Sequence, residues 1–280
     1  MRNLIRISDL TMDEVVGVFN KASELEKASN YKKLLKNKTF VLFFPDSSIR
    51  TRVTFEKGIS SLGGQVILFP SETLDKKEDI KDVVSYLTNW ADGIVVRHND
   101  IKLIEKICKY STIPVINAMT SENHPCEILA DLYSISKIRK NYLDLNYIYI
   151  GGDGNIGRAW VEASKTLGIN LTQVCPKGFE IDINSKTFNI SNSINEVIVK
   201  SDIVLTDSIS QNKELFAPYQ VTINLMSKAN SNALLNPCPP FFRGEEVSSG
   251  VIDSSYFVGY EFKKTLLYVQ QAIILFCCEN

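Results

Sequence analysis

Long apolar runs are scarce in this sequence: the longest near the C-terminus, Ala272 to Cys278, is far shorter than the ~20 residues a membrane-spanning helix requires. No membrane partner is expected, and the run reads as a docking helix. Surplus charge is also missing. The 31 Lys and Arg residues nearly cancel the 32 Asp and Glu, leaving a net charge of -1, so no broad field draws nucleic acid or an anionic surface, and any anion site must be local. Paired cysteines are absent as well: Cys108, Cys126, Cys175, Cys238, Cys277 and Cys278 follow no CxxC or secreted-framework spacing. That argues against a disulfide scaffold, a structural zinc or another metal site, and for reduced thiols. After Met1-Arg2-Asn3-Leu4-Ile5-Arg6 no apolar signal-peptide segment develops, because Asp9, Asp13 and Glu14 follow, so a cytoplasmic protein is expected.

With 280 residues, 44% hydrophobic and 22% charged, the chain suits one large or two moderate globular domains. Thr11 and Glu14 form a capping-box pattern ahead of Val15, Val18, Phe19, Ala22 and Leu25 at helical spacing, which predicts a helix to about Lys27. Short β-branched or aromatic runs follow at Thr39–Phe44, Gln65–Phe69, Gly93–Arg97 and Ile113–Asn117, separated by helical patterns such as Thr54–Leu62 and Ile80–Trp90. A long helix is expected over Cys126–Lys140. The alternation then restarts with strands at Tyr147–Gly151, Asn170–Cys175, Asp202–Thr206 and Ala233–Asn236, while the Asn- and Ser-rich stretch Ile181–Asn195 reads as loop. The class is α/β: two doubly wound parallel-sheet domains with an interdomain cleft, divided as 1–130 and 131–280.

Three segments carry chemistry. In Phe43-Phe44-Pro45-Asp46-Ser47-Ser48-Ile49-Arg50-Thr51-Arg52 a strand runs into a hydroxyl- and Arg-rich turn that opens a helix. The free N–H groups and positive dipole end of such a helix receive a phosphate without a metal. An ordinary Ser N-cap with surface arginines is the plainer alternative. In Asn123-His124-Pro125-Cys126-Glu127, one of only two histidines stands at a helix start. There it can donate to a developing oxyanion, with Glu127 accepting from an amide-like NH2; a lone histidine is more often structural. Val95-Val96-Arg97-His98 ends a strand on a cation, where open α/β sheets present ligand groups.

Together, in order and spacing, these segments resemble the aspartate and ornithine carbamoyltransferase family. Its Ser-x-Arg-Thr-Arg motif stands as Ser48-Ile49-Arg50-Thr51-Arg52 and its His-Pro-x-Gln motif as His124-Pro125-Cys126-Glu127. Gly152-Asp153-Gly154-Asn155, Pro176-Lys177-Gly178-Phe179-Glu180, Pro218-Tyr219-Gln220-Val221 and Arg243-Gly244-Glu245-Glu246-Val247 look like the ornithine branch. The resemblance implies a carbamoyl phosphate domain, then an acceptor domain, and a last helix at about 264–278 packing back on the first. It also implies a homotrimer with shared active sites and no cofactor. By it, Ser48 to Arg52 hold the phosphate, Thr51, Arg97 and His124 bind the carbamoyl oxygen, and Glu127 faces its nitrogen. Lys76 falls where the aspartate branch has a loop reaching a neighbouring subunit's site; a charged surface loop is the alternative.

Several positions depart from the ornithine branch. Glu127 replaces the usual Gln and, if ionised, needs an offset from Arg50 or Arg97. Ile156 stands where a second Asn is usual, and Arg158 lines up with the aspartate branch's carboxylate-binding arginine. Asp207 is present, but Ser208-Ile209-Ser210-Gln211 replaces Ser-Met-Gly, and Pro237-Cys238-Pro239-Pro240 replaces His-Cys-Leu-Pro. A carbonyl at Pro239 could accept from the carbamoyl NH2, and a cis peptide before Pro240 is plausible. Asn155, Arg158, Asp207, Cys238 and Pro239 are therefore the expected acceptor site, with Arg158 on a carboxylate and Asp207 on the amine. Ornithine is the default acceptor. Other amines, or a regulatory relative that only holds carbamoyl phosphate, are alternatives. A nicotinamide dehydrogenase is disfavoured because Gly151 to Gly157 is read as a poor fit to the dinucleotide fingerprint and no acidic residue closes the next strand.

Overall fold

The computed structural model describes residues 2–28, 33–209 and 212–279. Two compact units emerge: Met1–Ser134 with Lys263–Asn280, and Ile135–Phe262. Among the described residues no helix is long and apolar enough to cross a membrane.

In the first unit, helix α1 (Met12–Lys27) starts as its capping box dictates: Glu14 N–H donates to Thr11 Oγ1, and Thr11 N–H to Glu14 Oε2. Four parallel strands follow, β1 (Thr39–Phe43), β2 (Gln65–Phe69), β3 (Gly93–Arg97) and β4 (Val115–Met119), in the order β2-β1-β3-β4. Helices α2 (Arg50–Ser61), α3 (Ile80–Leu87) and α4 (Ile101–Tyr110) are the crossovers, and α5 (Pro125–Ile138) leads out of the unit. Helix α3 stops three residues before Trp90 because the Thr88 hydroxyl and the Asn89 amide take the Ser85 carbonyl, which favours a turn over another helical step. Strand β4 begins later than its apolar run suggests. Ser111 Oγ donates to the Ile113 carbonyl and accepts its N–H, closing a turn, and Pro114 offers no N–H.

The second unit holds five parallel strands, β5 (Asn146–Ile150), β6 (Asn170–Val174), β7 (Phe188–Ser191), β8 (Ile203–Thr206) and β9 (Leu234–Pro237), ordered β7-β6-β5-β8-β9. Helix α6 (Asn155–Leu167) follows β5; α7 (Ile194–Ile198), α8 (Lys213–Phe216), α9 (Ile223–Met226) and α10 (Ser249–Ile252) are short. Strand β7 corrects the expectation of loop over Ile181–Asn195. It pairs in parallel with β6 from Leu171↔Phe188 to Val174↔Ser191. As an edge strand it needs only one well-buried anchor, Phe188, so its polar remainder hides the alternation.

Helix α11 (Thr265–Cys278) returns to the first unit and packs against α1 and α2. Ten of its side chains are buried, Val269, Ile273 and Ile274 completely, and each large one contributes roughly 1.5–3 kcal/mol relative to exposure. Gln271 Nε2 fixes the register on α2 by donating to the Gly58 carbonyl (2.9 Å) and Ser61 Oγ (2.8 Å). A Cβ at Gly58 would lie 3.2 Å from Gln271 Cγ, so the small residue permits the close approach.

Candidate active site

Both sheets reverse winding direction between central neighbours, β1 and β3 in one and β5 and β8 in the other. At such switch points the loops leaving the strands' C-terminal ends diverge and open a crevice. The sequence places its candidate residues at these ends.

Beyond β1, Ser48 N–H closes a turn onto the Pro45 carbonyl (2.9 Å), and α2 opens at Arg50 behind Ile49, with no side-chain cap and no acidic residue in its first turn. Ser48 is therefore not an N-cap, although Arg50 is exposed as the plainer alternative expects. The first-turn N–H groups of α2 have no intrahelical acceptors, which leaves a positive helix end beside Arg50. Across the switch point, the ladder between β3 and β4 shifts register between Val96 and Arg97, a break of the kind that re-aims a side chain. Arg97 Nη1 donates to Ser48 Oγ at 3.0 Å and reaches Thr51 Oγ1 at 3.5 Å. Burial and the neighbouring Arg50 charge both push the Arg97 pKa down, with Glu127 opposing them. An incoming anion relieves this cation crowding.

The turn before α5 is built on a buried amide network. Asn117 Nδ2 donates to Asn123 Oδ1 (2.7 Å) and the Ile5 carbonyl (2.8 Å), Asn123 Nδ2 donates to the same carbonyl, and Thr120 Oγ1 donates to Asn123 Oδ1 while accepting the Asn123 N–H. Asn117 Oδ1 is the one atom of these three side chains left buried without a partner among the described residues, and connected networks of this kind hold one geometry. They place His124, 6% exposed, at the helix start with Nδ1 unpartnered among the described residues. Burial, above all, pushes the His124 pKa down to about 4, so at neutral pH the ring is an uncharged donor and acceptor.

Glu127 lies one turn further on. Its Oε1 accepts from Lys263 Nζ at 2.8 Å, and Lys263 also donates to Asp131 Oδ1 at 2.5 Å. Burial opposes ionisation of Glu127, but the charge of Lys263, backed by its hydrogen bond and by the Arg50 charge, outweighs it and holds the carboxyl below its ordinary value, His124 adding to this only when protonated. The expected offset by Arg50 or Arg97 is thus corrected: Lys263 is the direct partner, and Arg50 acts through space. Sequence reading missed Lys263. The available signal was the Lys263-Lys264 doublet ahead of an otherwise apolar helix, together with an acid standing where an amide is usual.

Two other residues of the anion turn lie at its margin. Arg52 Nε pairs with Glu56 on its own helix at 2.6 Å, and Ile49 is 71% exposed. Lys76 sits exposed between the turn Ser71–Asp75 and α3, without a hydrogen-bond or ion-pair partner among the described residues, so nothing brings it to the group around Arg97.

In the second unit, Asn155 opens α6 behind Gly154, again with no side-chain cap and no acid in the first turn. Asp207 follows β8, and a Cβ on Gly154 would lie 3.6 Å from Asp207 Oδ2, so carboxylate and helix end are neighbours. Burial pushes the Asp207 pKa up to about 6, partly opposed by the Ser208 N–H that its Oδ1 accepts at 2.8 Å. Arg158 is not held open for a ligand: its Nε and Nη2 grip Asp153 at 2.5 and 2.7 Å. Cys238 is buried after β9, its N–H donating to the Thr206 carbonyl, and the Pro239-Pro240 peptide is cis. Ser210 and Gln211 lie outside the described residues.

The glycine pattern needs a correction of its own. Gly152, Gly154 and Gly157 do stand at dinucleotide spacing, but packing and charge give them another purpose. A Cβ at Gly157 would meet Tyr149 Cε1 at 2.5 Å, so the glycine admits the buried Tyr149 ring, whose hydroxyl donates to the Gly152 carbonyl. The Asp207 carboxylate beside Gly154 would repel a pyrophosphate.

Fold and site together define a parallel α/β protein whose first unit gathers Arg50 and Arg97 at an uncapped helix end. Residues 2–137 match the carbamoyl-P binding domain of aspartate/ornithine carbamoyltransferase, and residues 143–277 match the Asp/Orn binding domain. Curated relatives include the ornithine carbamoyltransferases of Methanosphaera stadtmanae (31% identical, covering 98% of either chain) and Geobacter sulfurreducens (30%, again 98% of both). Among solved structures, ornithine carbamoyltransferase from Burkholderia thailandensis superposes with a TM-score of 0.93 at 29% identity, covering 99% of this chain and 98% of that one. The enzyme from Pyrococcus furiosus gives 0.91 at 28%, covering 98% and 96%. The chain belongs to the aspartate/ornithine carbamoyltransferase family.

Proposed function

We propose that this protein moves the carbamoyl group of carbamoyl phosphate onto the amine of ornithine and releases phosphate. The observation that carries the reading is the convergence of the α2 helix end, Arg97, His124 and the Glu127–Lys263 pair at one switch point. Relatives named ornithine carbamoyltransferase at about full length support it. The first unit takes the donor. Its phosphate sits on the turn from Ser48 to Arg52, with Lys76 available only from a neighbouring subunit's loop. Thr51, Arg97 and His124 address the carbamoyl oxygen, and Glu127 accepts from the carbamoyl NH2.

As the amine's lone pair attacks the carbamoyl carbon, negative charge grows on the carbonyl oxygen. The C–O bond to phosphate then breaks, and the departing phosphate takes up the proton that the attacking amine sheds. Donors fixed before the reaction stabilise that oxygen without reorganising. A neutral His124 suits the task because its N–H polarises the oxygen without adding a charge that would hold the phosphate back. In the second unit Asp207 orients the acceptor's ammonium group, and Asn155, Arg158, Cys238 and Pro239 line its place. Arg158 then takes the acceptor's carboxylate by exchanging it for Asp153.

The finer setting belongs to the same reading. The protein works in the cytoplasm, in keeping with six free cysteines, and as a homotrimer. The start of α2 leaves Val53 and the preceding Ile49 exposed and edge strand β2 leaves Ile67 and Phe69 exposed, apolar side chains that a neighbouring subunit would cover.

Incubation with labelled carbamoyl phosphate and ornithine, in parallel with aspartate, putrescine and N-acylated ornithines, tests the proposal. A ureido product from ornithine is expected. Product only from another amine would overturn the acceptor assignment, and carbamoyl phosphate binding without any product would overturn transfer itself.

A further inference from the structure

We propose that Lys263 is a positioning residue of the donor site: it holds Glu127 as a fixed, charge-compensated hydrogen-bond acceptor and keeps the site's net charge suited to a dianion. The inference rests on the carbamoyl-transfer reading. Glu127 is 6% exposed and Asp131 3% exposed on successive turns of α5, and Lys263 Nζ lies within 2.8 Å of one and 2.5 Å of the other. Lys263 comes from the segment that leads into α11, so a single ammonium ties the C-terminal return of the chain to the first turn of the catalytic helix. It takes Oε1 of Glu127, which orients the carboxylate and leaves Oε2 to present to a ligand.

The need for this arrangement follows from charge. An amide at position 127 would accept from the carbamoyl NH2 without cost, whereas a carboxylate brings a negative charge beside the place of a phosphate. The charged and titratable groups described around Glu127 are His124, Cys126 and Asp131 along its own helix, Arg50 from α2, Arg97 from β3, and Lys263. Arg50 and Arg97 are needed by the anion itself, so Lys263 is the cation that cancels Glu127. Asp131, bound to the other side of the ammonium, holds it in place. Lys263 need not touch the substrate to do this.

The coupling is tested with K263Q, E127Q and the double variant E127Q/K263Q, the Gln at 263 keeping a donor for Asp131. Removing one partner of a buried pair leaves the other uncompensated, so K263Q should lower kcat/KM for carbamoyl phosphate about 10–100-fold. E127Q restores the balance, so the double variant should recover to within about 3-fold of wild type, as strongly coupled neighbours do. Loss of Lys263 raises the Glu127 pKa. The defect in K263Q should therefore deepen as pH rises and Glu127 ionises, while the double variant stays flat.

A K263Q defect that E127Q does not repair would overturn the inference, whether it came from lost substrate contact or from lost folding; melting temperature separates these two. Inorganic phosphate binding, measured by calorimetry on the same four proteins, reads the coupling without turnover. A wild type that binds phosphate with the expected pattern but forms no ureido product would sink the transfer reading alone. Normal wild-type turnover without repair would sink only the role of Lys263.

Discussion

The two switch points are built from the same topology yet prepared to different degrees. At the first, side chains from four separate stretches of chain interlock before any ligand arrives: Ser48 and Thr51 with Arg97, and Glu127 with Lys263 and Asp131. At the second, the partners are local. Arg158 binds Asp153 five residues away, and Asp207 is held by the N–H of its own neighbour Ser208. Long-range interlocking costs chain entropy once, on folding, and gives a preorganised site, whereas local pairs are easily exchanged for a substrate. On the proposed reading the donor site is thus a finished mould, and the acceptor site is one whose ion pairs the substrate rearranges.

The largest effect should come from the finished site. Arg97→Met removes the tie to Ser48 and, on the proposed reading, the donor to the carbamoyl oxygen, so kcat should fall about 100–1000-fold, the range seen for loss of one preorganised oxyanion donor. A loss confined to KM would show that Arg97 only binds. Asp207→Asn should raise the acceptor KM by about 10–100-fold, as expected when a buried charge partner is removed, with the carbamoyl phosphate KM unchanged.

The pH dependence sharpens the contrast. Burial raises Asp207 from its ordinary 3.8 to about 6, so wild-type kcat/KM for the acceptor should drop as pH falls through about 6, and Asp207→Asn should lack that limb. The sign for stability is the reverse of the usual carboxylate. The folded protein binds this proton more tightly than the unfolded chain, so Asp207 favours folding below its ordinary pKa and becomes a burden as pH rises through about 6. Asp207→Asn should accordingly melt higher than wild type at pH 8 while losing activity; a lower melting temperature would argue against burial as the cause of the shift.

Arg158→Met should cost the acceptor KM only about 3–10-fold, because binding must first break the Asp153 pair, and a partly exposed pair is worth little. A loss as large as that of Asp207→Asn would contradict the description of the second site as rearranged by substrate. The smallest effect lies outside both sites. Thr11→Ala should lower stability by about 1 kcal/mol through loss of a helix cap, read from denaturant midpoints, with kinetics unchanged.

What could be read in the residues follows the same division. Strands β1, β2 and β3 and the cap of α1 were legible because local pattern dictates them, and the anion turn because its helix has a positive end and no acid. Strand β7 was not, since an edge strand with one buried Phe carries almost no alternation. That Ser48 and Arg97 serve one site was implied only by family likeness, and Lys263 was invisible: contact between residues 127 and 263 is a property of the folded chain, not of any window of sequence. Arg158 was legible as a cation but not as one already engaged, because the turn that brings Asp153 round to it is set by Gly154 and the packing of Tyr149.

The most direct test is equilibrium binding of carbamoyl phosphate without acceptor to wild type, Arg97→Met and Asp207→Asn. The account expects one site per chain, at least about tenfold weaker in Arg97→Met, as loss of a charge-assisted partner requires, and unchanged in Asp207→Asn. Undiminished binding in Arg97→Met, or equal losses in both variants, would contradict it.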